Sequence, residues 1–397
     1  MHTLLILSAM LFLCVLAGML LTRLRLPRIA AYVGVGVLFS PDVLGGMLEF
    51  SVDAWAPLAT ELALGLIAFL IGGSLQLSSL RRLGAVVGLA GLGASLGSLG
   101  VVAVVIGLFA PPDLPVAAWT FALALGAISV TTDPAATVAV IHQYRARGRV
   151  SEALLGIAGV DDAIGVVIFA VIAALLTGGA LSEALGHAAL EIGGSIAFGA
   201  IAGYLFGRFG PRLRFRELVA PLTLAALLLV VSASSMAGGS SILAAMVFGF
   251  AARAAGNVAA ERLFGALERG EETVFLAFFA IAGTYFRVDV FVEHLRWIAA
   301  YVVLRALGKI AGAWLGARLA KAPPIEARWL GVGLIPQAGV ALGLALTLAN
   351  QPALAGVGSM IVNVVLGAAI LYELVGPFGA RLALARVGEL GEDRGRG

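Results

Sequence analysis

The stretch GIAGVDDAIGVVIFAV (residues 156–171) places two adjacent carboxylates, Asp161 and Asp162, in a run that is otherwise almost wholly apolar. No other charged residue lies within it. A carboxylate at the centre of a bilayer costs about 2.5–3.5 kcal/mol on insertion scales, so intramembrane carboxylates usually mark ion pathways or proton relays. The pair therefore gains a functional meaning if the chain around it spans a membrane.

The composition indicates an integral membrane protein. Of the 397 residues, 61% are hydrophobic and 12% are charged, and the mean hydropathy is +1.04, well outside the range of soluble domains. The single cysteine, Cys14, excludes a framework of internal disulfides. The net charge of +3 reflects basic residues with a topological role, so we expect no nucleic-acid partner.

Apolar runs of about 20 residues predict an all-α polytopic membrane protein with about 13 transmembrane helices. The predicted segments are 3–22, 29–47, 57–77, 84–108, 116–142, 151–176, 182–207, 218–234, 241–254, 272–286, 296–319, 328–349 and 356–380.

The distribution of Lys and Arg supports this count, because these residues accumulate in cytoplasmic loops. Most of the 26 basic residues lie after odd-numbered segments or in the C-terminal tail, whereas the loops after even-numbered segments hold just Arg287 and Arg296. The pattern predicts a multi-pass topology with the N-terminus outside and the C-terminus in the cytoplasm.

Further charges fall deep inside predicted segments. Lys309 lies about 18 Å of helix rise from either end of the eleventh segment, and Asp161 and Asp162 lie roughly 15 Å from the inner end of the sixth. Asp133, in the fifth segment, lies at a similar depth. Four titratable groups near one plane predict an ion or proton site rather than a pair that only locks two helices together.

Proline interrupts two of the segments at mid-depth. Pro134 follows Asp133 in TTDPAAT, and Pro336 is flanked by glycines in GVGLIPQAGVALG. Proline removes a backbone donor and disfavours helical geometry at the residue before it. The two interrupted segments are seven apart, so segments 4–6 and 11–13 would form inverted-topology repeats with two broken, crossing helices, which is the arrangement that marks a transporter site.

The motifs TTDPAAT, GVDDAIG and ALGKIAG together resemble bacterial sodium/proton antiporters of the monovalent cation:proton antiporter superfamily, specifically the two-aspartate branch. The resemblance covers essentially the whole chain. It implies that Asp162 is the cation ligand, that Asp161 pairs with Lys309, and that Thr132, Asp133 and Pro336 lie at the crossed half-helices beside the site. It further implies elevator-type alternating access, a homodimer, and a bacterial inner membrane.

The resemblance also divides the chain. Scaffold and dimerisation helices are expected in 1–83 and 218–290, core ion-translocation helices in 84–176 and 291–382, a linker helix in 177–217, and a cytoplasmic tail in 383–397.

The chemistry of the residues agrees with cation/proton exchange. Asp162 would be neutral when protonated and anionic when it holds Na⁺, so the two ions would compete for one site and the core would move only when loaded. Adjacent helical residues project about 100° apart, so Asp161 can face the lysine while its neighbour faces the ion. Lys309, desolvated beside Asp161, can release its proton, which predicts electrogenic exchange of more than one proton per cation.

One motif departs from the family pattern. Many relatives carry an Arg and a Glu at the helix-12 break, whereas this chain has PQAG, with Gln337 and Gly339 in their place. Ion preference is therefore open among Na⁺, Li⁺ and K⁺. From depth and sign, Arg305 and Glu373 are hypothesised to form a core ion pair instead.

Other functional classes fit less well. The sequence around Lys309 lacks a phosphate-binding loop, so a primary pump is not expected. An intramembrane aspartyl protease would need two carboxylates on facing helices. Asp161 and Asp162 are adjacent and cannot both face one bond, so only Asp133 could serve as a partner for one of them. A retinal-binding protein is not expected either, because a retinal site requires aromatic residues and few of them surround Lys309. A potassium/proton antiporter and a cation channel without proton coupling remain alternatives; we expect no enzyme activity and no cofactor.

Overall fold

The computed structural model describes residues 2–48, 56–74, 77–110, 114–177, 180–209, 218–255, 264, 267, 270–337, 339–349, 354 and 356–391. These residues form helices and connecting turns, and no strand occurs among them. The prediction of an all-α architecture is confirmed.

The α-helices are numbered here in chain order. They are α1 (His2–Arg23), α2 (Arg28–Leu38), α3 (Ala56–Ser74), α4 (Leu77–Phe109), α5 (Ala118–Ser129), α6 (Pro134–Gln143), α7 (Arg149–Thr177), α8 (Leu181–Phe209), α9 (Val219–Met236), α10 (Ser241–Ala255), α11 (Glu271–Thr284), α12 (Val288–Glu293), α13 (Leu295–Leu319), α14 (Pro324–Leu330), α15 (Gly339–Ala349) and α16 (Gly358–Arg386). A π-helical turn, Pro41–Gly45, follows α2, and a 3₁₀ turn, Gly331–Leu334, follows α14.

Several of these helices have the length and apolar character needed to cross a bilayer. In the described part of the chain there are seven such stretches: Leu4–Arg23, Arg28–Gly45, Leu83–Phe109, Leu181–Phe209, Val219–Met236, Leu295–Leu319 and Gly358–Arg386. Each of the thirteen predicted segments overlaps at least one described helix. The number of crossings stays a prediction.

Two predicted segments are interrupted in the structure. The fifth becomes α5 and α6, with the break at residues 130–133, and the twelfth becomes α14, the 3₁₀ turn and α15. At the first break the residue before the proline, Asp133, is extended (φ −85°, ψ 114°), as proline favours. At the second break Ile335 keeps helical dihedrals (φ −67°, ψ −37°) before Pro336, and the 3₁₀ turn ends at Leu334. Pro134 then occupies the first position of α6, where a missing N–H costs nothing.

Contacts group the chain into two compact units. The first comprises Met1–Val52, Arg82–Ala184 and Phe279–Gly397. Its apolar core is built from α4, α5, α13, α15 and α16 and includes Phe121, Leu125, Ile298 and Val364, all fully buried. The rings of Phe121 and Trp297 meet edge to face, 5.2 Å apart. This core includes the first half of one interrupted segment, α5, and the second half of the other, α15.

A glycine seam, defined by Gly93 and Gly97 of α4 and by Gly308 and Gly312 of α13, brings those two helices into backbone contact. A Cβ on Gly308 would lie 2.7 Å from the Cα of Ser98, and one on Gly312 would lie 2.6 Å from the carbonyl carbon of Gly93. Only a residue without a side chain fits at these distances. The seam sets the separation of the helices that carry Ser95 and Lys309.

The start of α7 is held by a residue from the opposite end of the chain. The Glu389 carboxylate accepts hydrogen bonds from the backbone N–H groups of Val150 and Ser151, each at 2.7 Å, and from the Ser151 hydroxyl. The first N–H groups of a helix lack partners within it and favour negative charge. Glu389 therefore caps the helix that carries Asp161 and Asp162.

The second unit comprises Asp53–Arg81 and Leu185–Phe278. Close packing by glycine recurs here: a methyl group on Gly249 of α10 would overlap the Phe69 carbonyl of α3, and a Cβ on Gly199 of α8 would lie 2.5 Å from the Ala244 carbonyl oxygen. The rings of Phe69 and Phe264 stack at 4.7 Å. Small residues that allow backbones to approach are typical of membrane helix pairs.

Candidate ion site

The two interrupted segments are joined to each other through their backbones. The Asp133 N–H donates to the Pro336 carbonyl at 2.9 Å, and the Thr137 hydroxyl donates to the Gly333 carbonyl at 2.8 Å. Non-helical backbone at membrane depth is tolerated where protein surrounds it and satisfies its polar groups. The breaks at Asp133 and Pro336 therefore meet in a crossing, which is the arrangement the sequence predicted.

Asp133 caps the second half of the first broken segment. Its Oδ1 accepts a hydrogen bond from the Ala135 N–H at 2.9 Å, and its extended backbone (φ −85°, ψ 114°) is that of an N-cap residue. A carboxylate at this position also stabilises the positive end of the helix dipole of α6. Asp133 thus has a structural contact that accounts for one of its two oxygens.

Four consecutive carbonyls at the end of α5 are capped by side chains from outside that helix. Gln337 Nε2 donates to the carbonyl of residue 128 at 3.0 Å, and Arg305 Nε donates to that of residue 129 at 3.0 Å. Lys309 Nζ donates to the carbonyl of residue 130 at 2.8 Å, and Arg305 Nη2 to that of residue 131 at 2.6 Å. Two cations at the negative end of a helix dipole are favourable.

Arg305 connects the two breaks. Besides its bonds to the end of α5, its Nη1 donates to the Ile335 carbonyl at 2.6 Å and its Nη2 lies 3.4 Å from that of Pro336. The side chain is fully buried, and the guanidinium lies 4.5 Å from the centre of the Tyr372 ring. Its donors therefore replace hydrogen bonds that two continuous helices would have made.

Lys309 lies beside Asp161 on the same crossing. Its Nζ is 3.5 Å from Asp161 Oδ2, and it also donates to the Thr132 hydroxyl. Both charged side chains are at most 1% exposed. The second oxygen of Asp161 accepts from the Ser95 hydroxyl of α4 at 3.0 Å. A buried ion pair needs such additional hydrogen bonds because desolvation of both charges opposes it.

Gln337 occupies the helix-12 break as a neutral polar residue. Its amide Nε2 lies 3.3 Å from the Thr131 hydroxyl, and the Tyr301 hydroxyl lies 3.2 Å from its Oε1. Gln337 is fully buried. The side chain of Gln337 is thus satisfied by hydroxyl and carbonyl groups, and among the residues described it takes part in no ion pair.

Two of the predicted site side chains lie outside the described part of the structure. Asp162 has a described helical backbone, one residue after Asp161 in α7, and Pro134 opens α6. Their side chains are not among those described. The role expected for Asp162 therefore stays a prediction.

The hypothesised pair of Arg305 and Glu373 is not formed. The Arg305 guanidinium is directed at the carbonyls of the two breaks and at the Tyr372 ring, while Glu373 Oε2 is buried without a hydrogen-bond partner in the described residues. Depth and sign suggested the pairing, but four carbonyls freed by the breaks lie closer to the arginine than any carboxylate.

Sequence reasoning missed Ser95 and Tyr301, which contact the predicted residues directly. Serine in a Gly-rich membrane helix is ordinary, because small residues favour helix packing, so its spacing gave no indication. Tyr301 precedes Arg305 by four residues and Lys309 by eight, so all three lie on one face of α13. That periodicity was the signal that could have identified it.

The sequence matches a known protein family over almost its full length. Residues 8–385 match the family model described as "Sodium/hydrogen exchanger, transmembrane". The chain belongs to the sodium/hydrogen exchanger family. No curated protein sequence matches the chain.

Solved structures share the fold of this exchanger-family protein. A structure of the sodium proton antiporter MjNhaP1 from Methanocaldococcus jannaschii at pH 8 superposes with a TM-score of 0.73 at 19% identity, covering 99% of this chain and 100% of that one. An electron-microscopy structure of the same antiporter gives a TM-score of 0.69 at 21% identity, covering 96% and 94%. The likeness establishes the antiporter fold over almost the full chain.

Proposed function

We propose that this protein is a secondary active transporter that exchanges a monovalent cation for protons across the membrane, with Na⁺ as the expected cation. The observation that carries the proposal is the buried contact of Lys309, Asp161 and Thr132 at the crossing of two interrupted helices, in a chain of the sodium/hydrogen exchanger family. Intramembrane charges of this kind mark ion pathways and proton relays.

In this proposal cation and proton compete for Asp162. When the site is empty its charge opposes passage through the low-dielectric core, so the core changes its exposure only when Asp162 carries a proton or a cation. This rule by itself couples the two flows. A bound ion can shift the equilibrium between the two conformations of the core only to the extent that it binds one of them more tightly than the other.

Lys309 would add a second proton to the cycle. A lysine in a desolvated site releases its proton readily, and a cation that arrives near Asp161 competes electrostatically with the ammonium group. Release of that proton together with the one from Asp162 would make exchange electrogenic.

The moving part would consist of 84–176 and 291–382, which contain the crossing. The scaffold would be 1–83 and 218–290, joined through 177–217, with 383–397 as a cytoplasmic tail. We further propose elevator-type movement, a homodimer, and a bacterial inner membrane with the N-terminus outside. Cross-linking of single-cysteine variants in membranes would test the dimer and the topology.

The exchange itself is tested in proteoliposomes with an internal pH dye. Addition of Na⁺, Li⁺ or K⁺ should move protons in the wild type, and Asp162→Asn should abolish this movement, whereas Glu191→Gln in α8 should leave it intact. The ion that acts at the lowest concentration identifies the substrate, so a response to K⁺ alone would make the protein a potassium/proton antiporter. Cation flux without proton movement would instead show a channel and refute the proposal.

Electrogenicity needs a separate measurement. Clamping the membrane potential should accelerate wild-type exchange, because the moved charge is then compensated. Lys309→Gln should leave exchange that no longer responds to the clamp. An unchanged response in Lys309→Gln would show that the lysine does not supply the second proton.

A further inference from the structure

Glu373 is a deeply buried carboxyl group that the proposed exchange does not use. It lies in the middle of α16, a helix long and apolar enough to cross a bilayer, and is 3% exposed. Its Oε2 is fully enclosed and has no hydrogen-bond partner among the described residues. A buried carboxylate without a donor is strongly unfavourable. A neutral, protonated carboxyl group does not have this problem, because it supplies its own donor.

Asp133 provides the matching acceptor. While its Oδ1 is bonded to the Ala135 N–H, its Oδ2 is buried and has no partner in the described structure. The two residues lie on elements that pack together, because α16 contacts α6, the helix that Asp133 caps. Asp133 Oδ2 therefore lacks a hydrogen-bond donor, which a protonated Glu373 would supply. The O–H group of Glu373 would in turn need an acceptor, which the Asp133 carboxylate would supply.

The helix that carries Glu373 packs on the crossing itself. One turn after Glu373, a Cβ on Gly376 would lie 2.8 Å from the Cγ of Pro336. Pro336 accepts the hydrogen bond from the Asp133 N–H. A change of charge at Glu373 would consequently act on the contact between α16 and the point where the two broken segments meet.

No other charged group of the described chain compensates Glu373. On the neighbouring helices, Arg305 is directed at carbonyls and at the Tyr372 ring, and Lys309 at Thr132 and Asp161. The remaining charged or titratable residues of the elements that pack on α16, and of α16 itself, are Arg28, Tyr32, His142, Asp289, Glu293, Arg296, Tyr301, Arg318, Glu326, Arg328, Tyr372, Arg381 and Arg386. None of these groups donates a hydrogen bond to Glu373 Oε2.

We propose that Glu373 and Asp133 form a second acid site that binds one proton, apart from Asp161, Asp162 and Lys309. The proton resides on Glu373, whose O–H is offered to Asp133 Oδ2. When the O–H bond breaks, the proton passes to water and two carboxylates remain. Their repulsion in a low-dielectric interior weakens the packing of α16 on the crossing. The existence of this site is independent of the proposed exchange, while its effect on transport rests on that function.

Infrared difference spectroscopy of the full chain in lipid tests the site without any transport assay. All variants are made in an Asp162→Asn background, which removes the carboxyl group proposed to exchange protons for cations. In that background the protein should show a carboxylic-acid C=O band that disappears as the pH rises. This band should be missing when Glu373→Gln is added and present when Glu191→Gln is added, which alters a carboxyl group of the second unit. A band of unchanged intensity after Glu373→Gln overturns the assignment.

Asp133→Asn provides an independent variant should Glu373→Gln fail to fold. Without the negative charge of Asp133, the proton on Glu373 is held less strongly, so the band should disappear at a lower pH than in the Asp162→Asn background. An unchanged transition would show that the two residues do not share a site.

The effect on exchange is measured separately in proteoliposomes. Since glutamine is permanently neutral, Glu373→Gln should flatten the dependence of the exchange rate on alkaline pH while Na⁺-evoked proton movement persists. A wild-type pH profile in this variant overturns the link between the second acid site and transport. Failure of wild-type exchange would refute the proposed function instead, with the infrared result unaffected.

Discussion

The substitution Gly312→Ala should force α13 away from α4. The added Cβ would lie 2.6 Å from the Gly93 carbonyl carbon and 3.1 Å from the Gly97 Cα. Carbon atoms pack best at about 3.5–4.0 Å, and both obstacles are backbone atoms that cannot rotate aside. The two helices must therefore separate by roughly 1 Å, from the same packing distance.

This displacement would reach the ion site. Overpacking a well-filled interior costs about 1–3 kcal/mol, and a collision with backbone should fall at the upper end. Ser95 and Lys309 approach Asp161 from the two helices of the seam, at 3.0 and 3.5 Å. A shift of roughly 1 Å takes at least one of these contacts beyond hydrogen-bond range. We expect cation-evoked proton movement to fall about tenfold or more, since each 1.4 kcal/mol is a factor of ten.

Gly100→Ala is the matched control. Gly100 lies on α4, and apart from the adjacent backbone of its own helix no atom lies within 4 Å of the Cβ that alanine would add. That variant should be as stable as the wild type or slightly more so, because alanine favours the helix by about 1 kcal/mol over glycine. Thermal unfolding in detergent and proton flux in proteoliposomes compare the two. If Gly312→Ala unfolds and transports like Gly100→Ala, the backbone contact between α4 and α13 does not exist.

Three further substitutions test individual contacts. Arg305→Met should lower the free energy of unfolding by about 3–5 kcal/mol. Arg305→Lys should have an intermediate stability, because a lysine keeps the charge but cannot satisfy carbonyls from both breaks. Equal thermal stability of the wild type and the two variants would contradict this. Ser95→Ala should lower the free energy of unfolding by about 1–3 kcal/mol, because it leaves an oxygen of Asp161 unsatisfied. The matched Ser8→Ala, in the exposed part of α1, should lower it little. Similar unfolding temperatures for the two variants would disprove the contact between Ser95 and Asp161. Glu389→Ala should lose the cap of α7 at a cost of about 1–2 kcal/mol and raise amide hydrogen exchange at residues 150 and 151, whereas unchanged exchange there would show that the cap is dispensable.

Much of the fold was predictable because its causes are local. Apolar runs locate the helices, and the two prolines at mid-depth predict the breaks at Asp133 and Pro336, because proline removes a backbone donor and disfavours helical geometry before it. The short helix α12 and the 3₁₀ turn before Pro336 were not predicted, since four to six residues carry too little periodicity to be recognised.

The partners within the site were harder to predict. The pairing of Asp161 with Lys309 was implied by the family resemblance, whereas depth and sign alone assigned Glu373 to Arg305 incorrectly. Depth and sign ignore the backbone, and a broken helix exposes carbonyls that compete with carboxylates for every donor. The role of Ser95 depends on how closely α4 approaches α13, which requires coordinates.

Arg305 and Lys309 are separated by one helical turn on the same side of α13, yet the chemistry of their cations differs. A guanidinium keeps its proton at every pH at which a protein functions, whereas an ammonium group can give its proton up. The bonds from Arg305 to the carbonyls of both breaks should consequently persist while neighbouring groups gain and lose protons. In the proposed exchange, one turn of helix thus combines a permanent cation, which maintains the architecture, with one that can lose its charge. Protonation could then change at the site while the bonds that hold the two breaks together remain.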